Sequence, residues 1–95
     1  MRASLLLALL LAGCATSEEF ARKNGEFDHG PDVTVVYFQS SQEAVRWKCL
    51  NQRALACAAY NHDPKAPCYI YHTASTGPIV LEHERLHCRY GRWHG

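Results

Sequence analysis

Five cysteines, Cys14, Cys49, Cys57, Cys68 and Cys88, fall within a chain of 95 residues. A chain this short makes one domain at most. It buries so little apolar area that cross-links or a metal are the usual remedy. Part of its apolar content lies in one unbroken run, Leu5 to Ala12, behind the single cation Arg2. A membrane-spanning helix needs about 20 apolar residues, so this run cannot span. It has the form of the apolar segment of a secretory signal. From Cys14 onward, nine Lys and Arg balance nine Asp and Glu. That balance excludes nucleic-acid binding driven by bulk charge, and the length excludes a large multi-site enzyme.

The run closes with Leu11-Ala12-Gly13-Cys14. This segment resembles the lipobox of bacterial lipoproteins: Leu, two small residues, then the cysteine that takes the lipid. The resemblance implies a signal peptide over 1–13, removed on export, and a lipid anchor on Cys14. Position 15 is Ala rather than the Asp that retains such proteins at the inner membrane. The expected address is therefore the bacterial cell envelope, on the outer membrane facing the periplasm. Acyl chains contribute about 0.8 kcal/mol per buried CH₂, so two or three anchor a protein stably.

Assigning Cys14 to lipid leaves four cysteines, Cys49, Cys57, Cys68 and Cys88. In an oxidising compartment these suggest two disulfides, in one of three connectivities. A four-cysteine zinc site is the weaker alternative, because no C-x₂-C spacing is present.

Along the rest of the chain, residues 14–31 read as the lipidated cysteine and a polar tether. The domain is expected over 32–95. Asp32 to Phe38 is β-branched and aromatic, hence a strand. Ser40 and Glu43 form a possible capping box for a helix reaching about Gln52, with Trp47 among its core residues. Residues 55–60 and 68–73 suggest a hairpin around the turn that starts at Asn61. Pro78 suits the first turn of a last helix, which Gly91 ends. This predicts a small α+β domain, a short antiparallel sheet with two helices, stapled by disulfides. In such a hairpin Cys57 and Cys68 flank the loop and would pair across it, leaving Cys49 with Cys88; spacing alone does not fix the choice.

The last helix carries His83-Glu84-Arg85-Leu86-His87, an H-E-x-x-H pattern. Residues four apart on a helix share a face, so both imidazoles can reach one Zn²⁺. Gly91 lets the chain turn sharply, so that His94 can return as a third ligand and leave a fourth position for water. The pattern resembles the zincin metallopeptidases, through His83, Glu84, His87, Gly91 and His94. It is similar to the metzincin arrangement H-E-x-x-H-x-x-G-x-x-H with one residue more before the glycine. It also resembles the C-terminal segment of small bacterial lipoproteins of uncharacterised families. The likeness implies a minimal zincin-like domain in which His83, His87 and His94 hold zinc and Glu84 acts as general base on the water. Arg85 departs from the peptidase pattern, and no Met-turn is expected.

The implied function is a lipid-anchored zinc-dependent metallohydrolase, a peptidase acting on peptides or proteins of the envelope. The alternative is a non-catalytic envelope lipoprotein whose metal is structural or which binds a partner. A fourth protein ligand, from Glu82, Cys88 or His72, would favour that alternative. Metal binding itself requires His94 to approach His83 and His87. Three further expectations surround the site. Strand 68–72 could be an edge that pairs with substrate. Tyr69, Tyr71 or Tyr90 could stabilise an oxyanion, though for any one of them packing in a small core or on a strand is the better explanation. Trp93 could cover the metal site or anchor the tail, whereas His62, in a polar turn, is expected to be solvent-exposed and His29, in the tether, to be inert.

Overall fold

A computed structural model describes residues 17–94. The signal segment and Cys14 lie outside the described residues. Residues 17–24 are helical (α1), followed by strand β1 (Val35–Gln39), helix α2 (Gln42–Cys49), strands β2 (Ala56–Ala59) and β3 (Cys68–His72), and helix α3 (Pro78–Tyr90). Among the described residues no helix is long and apolar enough to cross a membrane.

β-Branched and aromatic content drives β1 and β3, whereas β2, Ala-Cys-Ala-Ala, is held as a strand by its pairing with β3; the order is β1-β3-β2. The expected hairpin forms: β2 runs antiparallel to β3, with Ala58 opposite Ile70. β1 takes the other side of β3 and runs parallel to it, with Val36 opposite Tyr69. The architecture is α+β as expected, but the sheet is mixed and there is a third helix. The parallel pairing arises because α2 and β2 intervene between β1 and β3, and the chain returns to the middle of the sheet.

Alternation along β3 sends Cys68 and Ile70 to one face and Tyr69 and Tyr71 to the other. The first face packs under α3, where Cys68, Ile70 and Cys88 are buried with Val35, Ala58 and Leu81 against them. The second carries the stacked rings of Phe38 and Tyr71, with the Lys48 ammonium over Tyr71. This alternation also explains the disulfides, which are Cys49–Cys57 and Cys68–Cys88. The expected Cys57–Cys68 and Cys49–Cys88 pairing is corrected. Cys57 lies opposite Tyr71 and shares its face, whereas Cys68 points to the other. Each cysteine bonds to the helix beyond its own face: Cys57 to the end of α2, Cys68 to α3.

Helix α2 starts one residue later than expected. The Ser41 side chain, not that of Ser40, accepts from the Ala44 N–H at 3.2 Å. Glu43 is then one position too early for a capping box. The helix stops at Cys49 because Leu50 enters the left-handed region at φ 52°. A helix this short buries one residue, Val45, and Trp47 lies about 200° around the axis from it. Trp47 is therefore 75% exposed rather than part of the core.

The expected tether is packed. Ala21 of α1 is fully buried with Leu86 and Tyr90 of α3. Residues 26–29 run across the end of α3, where Glu26 N–H donates to Tyr90 O at 2.9 Å and His29 N–H to Arg89 O at 2.9 Å. These bonds satisfy carbonyls that the helix end leaves open. The Arg89 guanidinium holds the same segment through Asp28 at 2.9 Å and Glu18 at 3.3 Å. Charge and polarity made the stretch read as solvated, yet Glu18 and Asp28 answer Arg89.

The two disulfides should contribute unequally. They close loops with separations of 8 and 20 residues, for which chain entropy gives about 2.5 and about 3.3 kcal/mol. Cys68 and Cys88 are also fully packed, so their loss opens a cavity. The Cys68→Ala/Cys88→Ala protein should lose more stability than Cys49→Ala/Cys57→Ala, by about 1 kcal/mol or more in urea unfolding. Equal losses would refute this ranking.

Candidate metal centre

His83 and His87 lie one turn apart on α3, and the exit of that helix decides whether a third imidazole can join them. Gly91 adopts φ 72° and ψ −139°. The positive φ favours glycine, and a Cβ here would also lie 2.8 Å from the Phe27 ring. The turn sends Trp93 and His94 back along the helix. His94 Nε2 lies 2.9 Å from His87 Nε2 and 2.9 Å from His83 Nε2. The ligand atoms of all three fall within 4.8 Å of one another, so the group could hold a metal ion. Tetrahedral bonds of about 2.05 Å place ligand nitrogens about 3.3 Å apart, which these side chains can meet with small adjustments.

The donor chemistry fits as well as the spacing. His87 Nδ1 lies 2.7 Å from the Gly91 carbonyl oxygen. That oxygen can only accept, so Nδ1 carries the proton and Nε2 keeps its lone pair toward the other two rings. Burial, reinforced by His94, pushes the His83 pKa below the usual imidazole value. Burial also lowers that of His87, against the Gly91 hydrogen bond and with help from His94 and His83. Both rings therefore stay neutral, as ligands must, to lower pH than a free histidine. Trp93 packs on the pair, stacked on His87 at 5.1 Å between centroids and 4.9 Å from the His83 ring. Its position accords with the expectation that it covers the cluster. Its Nε1 is buried without a hydrogen-bond partner.

Glu84 sits between the two ligands in sequence and is 8% exposed. Burial alone raises its carboxyl pKa from 4.5 to about 7, with no cation acting against it. Arg85, the departure from the peptidase pattern, faces elsewhere. It forms a two-point ion pair with Glu82 at 2.8 and 2.6 Å. Of the other expected fourth ligands, Cys88 is held in its disulfide, and His72, whose Nδ1 lies 2.9 Å from Thr73 O, is not part of the metal-capable group. Among the described residues the metal-capable group comprises His83, His87 and His94 alone.

Several surrounding expectations change. β3 is the central strand, so 68–72 offers no free edge; the edges are β1 and β2. Tyr69 and Tyr71 face away from α3, and Tyr90 is buried against Ala21 and Leu86. The tyrosine beside the cluster is Tyr60, its ring 6.2 Å from that of His87 and nearly parallel to it. Nothing local marks Tyr60; only the pairing of β2 beneath α3 brings it there. His62 is exposed as expected, but contacts Glu26 Oε2 at 3.2 Å. His29 is not inert, since it stacks on Phe27 at 3.8 Å and reaches Asn61 O through Nε2.

No family model, curated protein or solved structure matches the chain.

The unpaired acid should leave a signature in metal-free protein. Folded Glu84 keeps its proton to about pH 7, whereas the unfolded side chain loses it near 4.5. The group's contribution to stability is therefore present below about 4.5 and lost as pH rises through about 7. Glu84→Gln should be more stable than wild type at about pH 8, by on the order of 3 kcal/mol. The gap should close toward about pH 4.5. His83 and His87 act in the opposite direction, but equally in both proteins. Denaturant unfolding with chelator at several pH values reads the difference, and a pH-independent gap would contradict the burial argument.

Proposed function

We propose that this chain is a lipid-anchored, zinc-dependent hydrolase of the bacterial envelope, acting on peptide bonds. One observation carries the reading: three imidazole ligand atoms converge within 4.8 Å of one another, and the helix that supplies two of them also carries a buried carboxyl, Glu84, whose pKa burial raises to about 7. Three protein ligands leave a coordination position for water or substrate, which is the arrangement of a catalytic rather than a structural zinc. Zinc, when bound, would polarise the scissile carbonyl and acidify water.

The chain's own groups have separable tasks. His83, His87 and His94 hold the ion, and the Gly91 carbonyl fixes the His87 tautomer. Glu84, with a pKa of about 7, can take a proton from the attacking water and return it to the leaving amine near neutral pH. Trp93 shields one side of the cluster. Beside it a groove of about 490 Å³, with Pro78, Ile79 and Leu86 in its walls, offers room for a substrate side chain next to His83. Anchoring rests on the lipobox-like segment ending at Cys14, and it would hold the domain at the membrane surface. A structural zinc would call for a fourth protein ligand, and among the described residues Glu82, Cys88 and His72 are not part of the metal-capable group.

Wild type, Glu84→Gln and His87→Ala test the proposal through zinc content and cleavage of a mixed peptide pool. Wild type should hold about one zinc per chain. Glu84→Gln should keep the metal and lose cleavage by roughly 10²–10⁴-fold, whereas His87→Ala should lose the metal. A zinc-loaded Glu84→Gln protein that cleaves at the wild-type rate would remove the catalytic claim and spare the metal claim.

A further inference from the structure

The third ligand arrives on a short tail, and the tail's course is fixed from the far end of the sequence. Glu26 grips the chain on both sides of the Gly91 turn. Its backbone N–H donates to Tyr90 O at 2.9 Å, and its Oε1 accepts the Arg92 N–H at 2.8 Å. The same oxygen accepts the Tyr60 hydroxyl at 3.2 Å, while Oε2 faces His62 Nε2 at 3.2 Å. Phe27, the next residue, lies against Gly91 so closely that a Cβ there would clash. The two grips therefore straddle the residue whose φ redirects the chain, and they end two positions before His94.

We propose that Glu26 is a positioning residue for the metal centre: by holding the Arg92 amide it sets the tail conformation that brings His94 Nε2 to His83 and His87. This rests on the reading of the three histidines as metal ligands. Without the clamp, Gly91 keeps its bonds to His87, but the Arg92 amide loses its acceptor and the chain from Arg92 to His94 gains other backbone angles. His94 then spends part of its time away from the cluster, and a two-histidine site remains. The same oxygen ties the tail to Tyr60, whose ring lies along His87, so one carboxylate registers the tail against both β2 and α3. The Arg92 amide and then His62 hold the Glu26 carboxyl below the usual carboxylate range, so it is ionised wherever the histidines are neutral.

Zinc affinity, measured by competition with a chromophoric chelator, tests this on the purified full chain. Glu26→Ala should bind zinc about 10–100-fold more weakly than wild type, the range for loss of a group that orients a ligand. Glu26→Gln keeps an acceptor for the Arg92 and Tyr60 donors and should stay within about threefold. In a His94→Ala background, Glu26→Ala should cause no further loss, because its effect runs through His94. Cobalt substituted into Glu26→Ala should show the visible spectrum of His94→Ala rather than that of wild type. Should Glu26→Ala fail to fold, Glu26→Asp keeps the charge, shortens the reach, and carries the same expectations. Unchanged affinity in Glu26→Ala, or an equal further loss in the His94→Ala background, would overturn the proposal while leaving the metal reading intact. A wild-type protein that binds no zinc would overturn both.

Discussion

The bond between Cys68 and Cys88 fixes how α3 sits on the sheet. A domain with so few buried residues has little packing with which to set the rotation of a helix about its own axis. Here Cys88 is tied to the first residue of the central strand, and both sulfurs lie in the same apolar cluster as Ile70. Since each residue advances about 100° around the axis, pinning Cys88 also decides where His83, Glu84 and His87 point.

The consequence can be followed around the helix. Leu81 and Cys88 face the sheet, while Leu86 and Tyr90 face Ala21 of α1. Glu82, Arg85 and Arg89 turn outward into ion pairs. The arc between the two buried stripes carries His83 and His87, with Glu84 at its sheet-side margin. That location explains why the imidazoles are partly covered, why their pKa values fall, and why Glu84 is buried with no cation beside it. A surface helix would expose these groups and a core helix would enclose them; this arc does neither.

The parts of the site that depend on neighbours in sequence were legible. Four-residue spacing put His83 and His87 on one face, and Gly91 announced the turn that returns His94. Elements that depend on distant pairing were not. The hairpin was readable from Asn61 to Pro67, but nothing in residues 35–39 says that β1 joins β3 on its free side. The disulfide partners follow from which face each cysteine takes, and that is known only once the register is known. Trp47 misled because its size suggests burial, whereas a helix of two turns with Val45 inward has no second buried stripe to offer. Residues 17–31 misled for the opposite reason: polarity suggested a solvated tether, but Arg89 and the open carbonyls of α3 supplied partners for Glu18, Glu26 and Asp28.

The adjacency of His87 and Cys88 bears on the order in which this protein matures. In the reduced chain Cys88 is a thiol directly beside a histidine, and a thiolate is a strong zinc ligand. A metal arriving first could be captured by that sulfur instead of by the histidines. Oxidation to Cys68–Cys88 removes that competing ligand and builds the histidine arc in one event. If the histidine group takes up a metal, closure of Cys68–Cys88 beforehand would keep that thiol from competing for it.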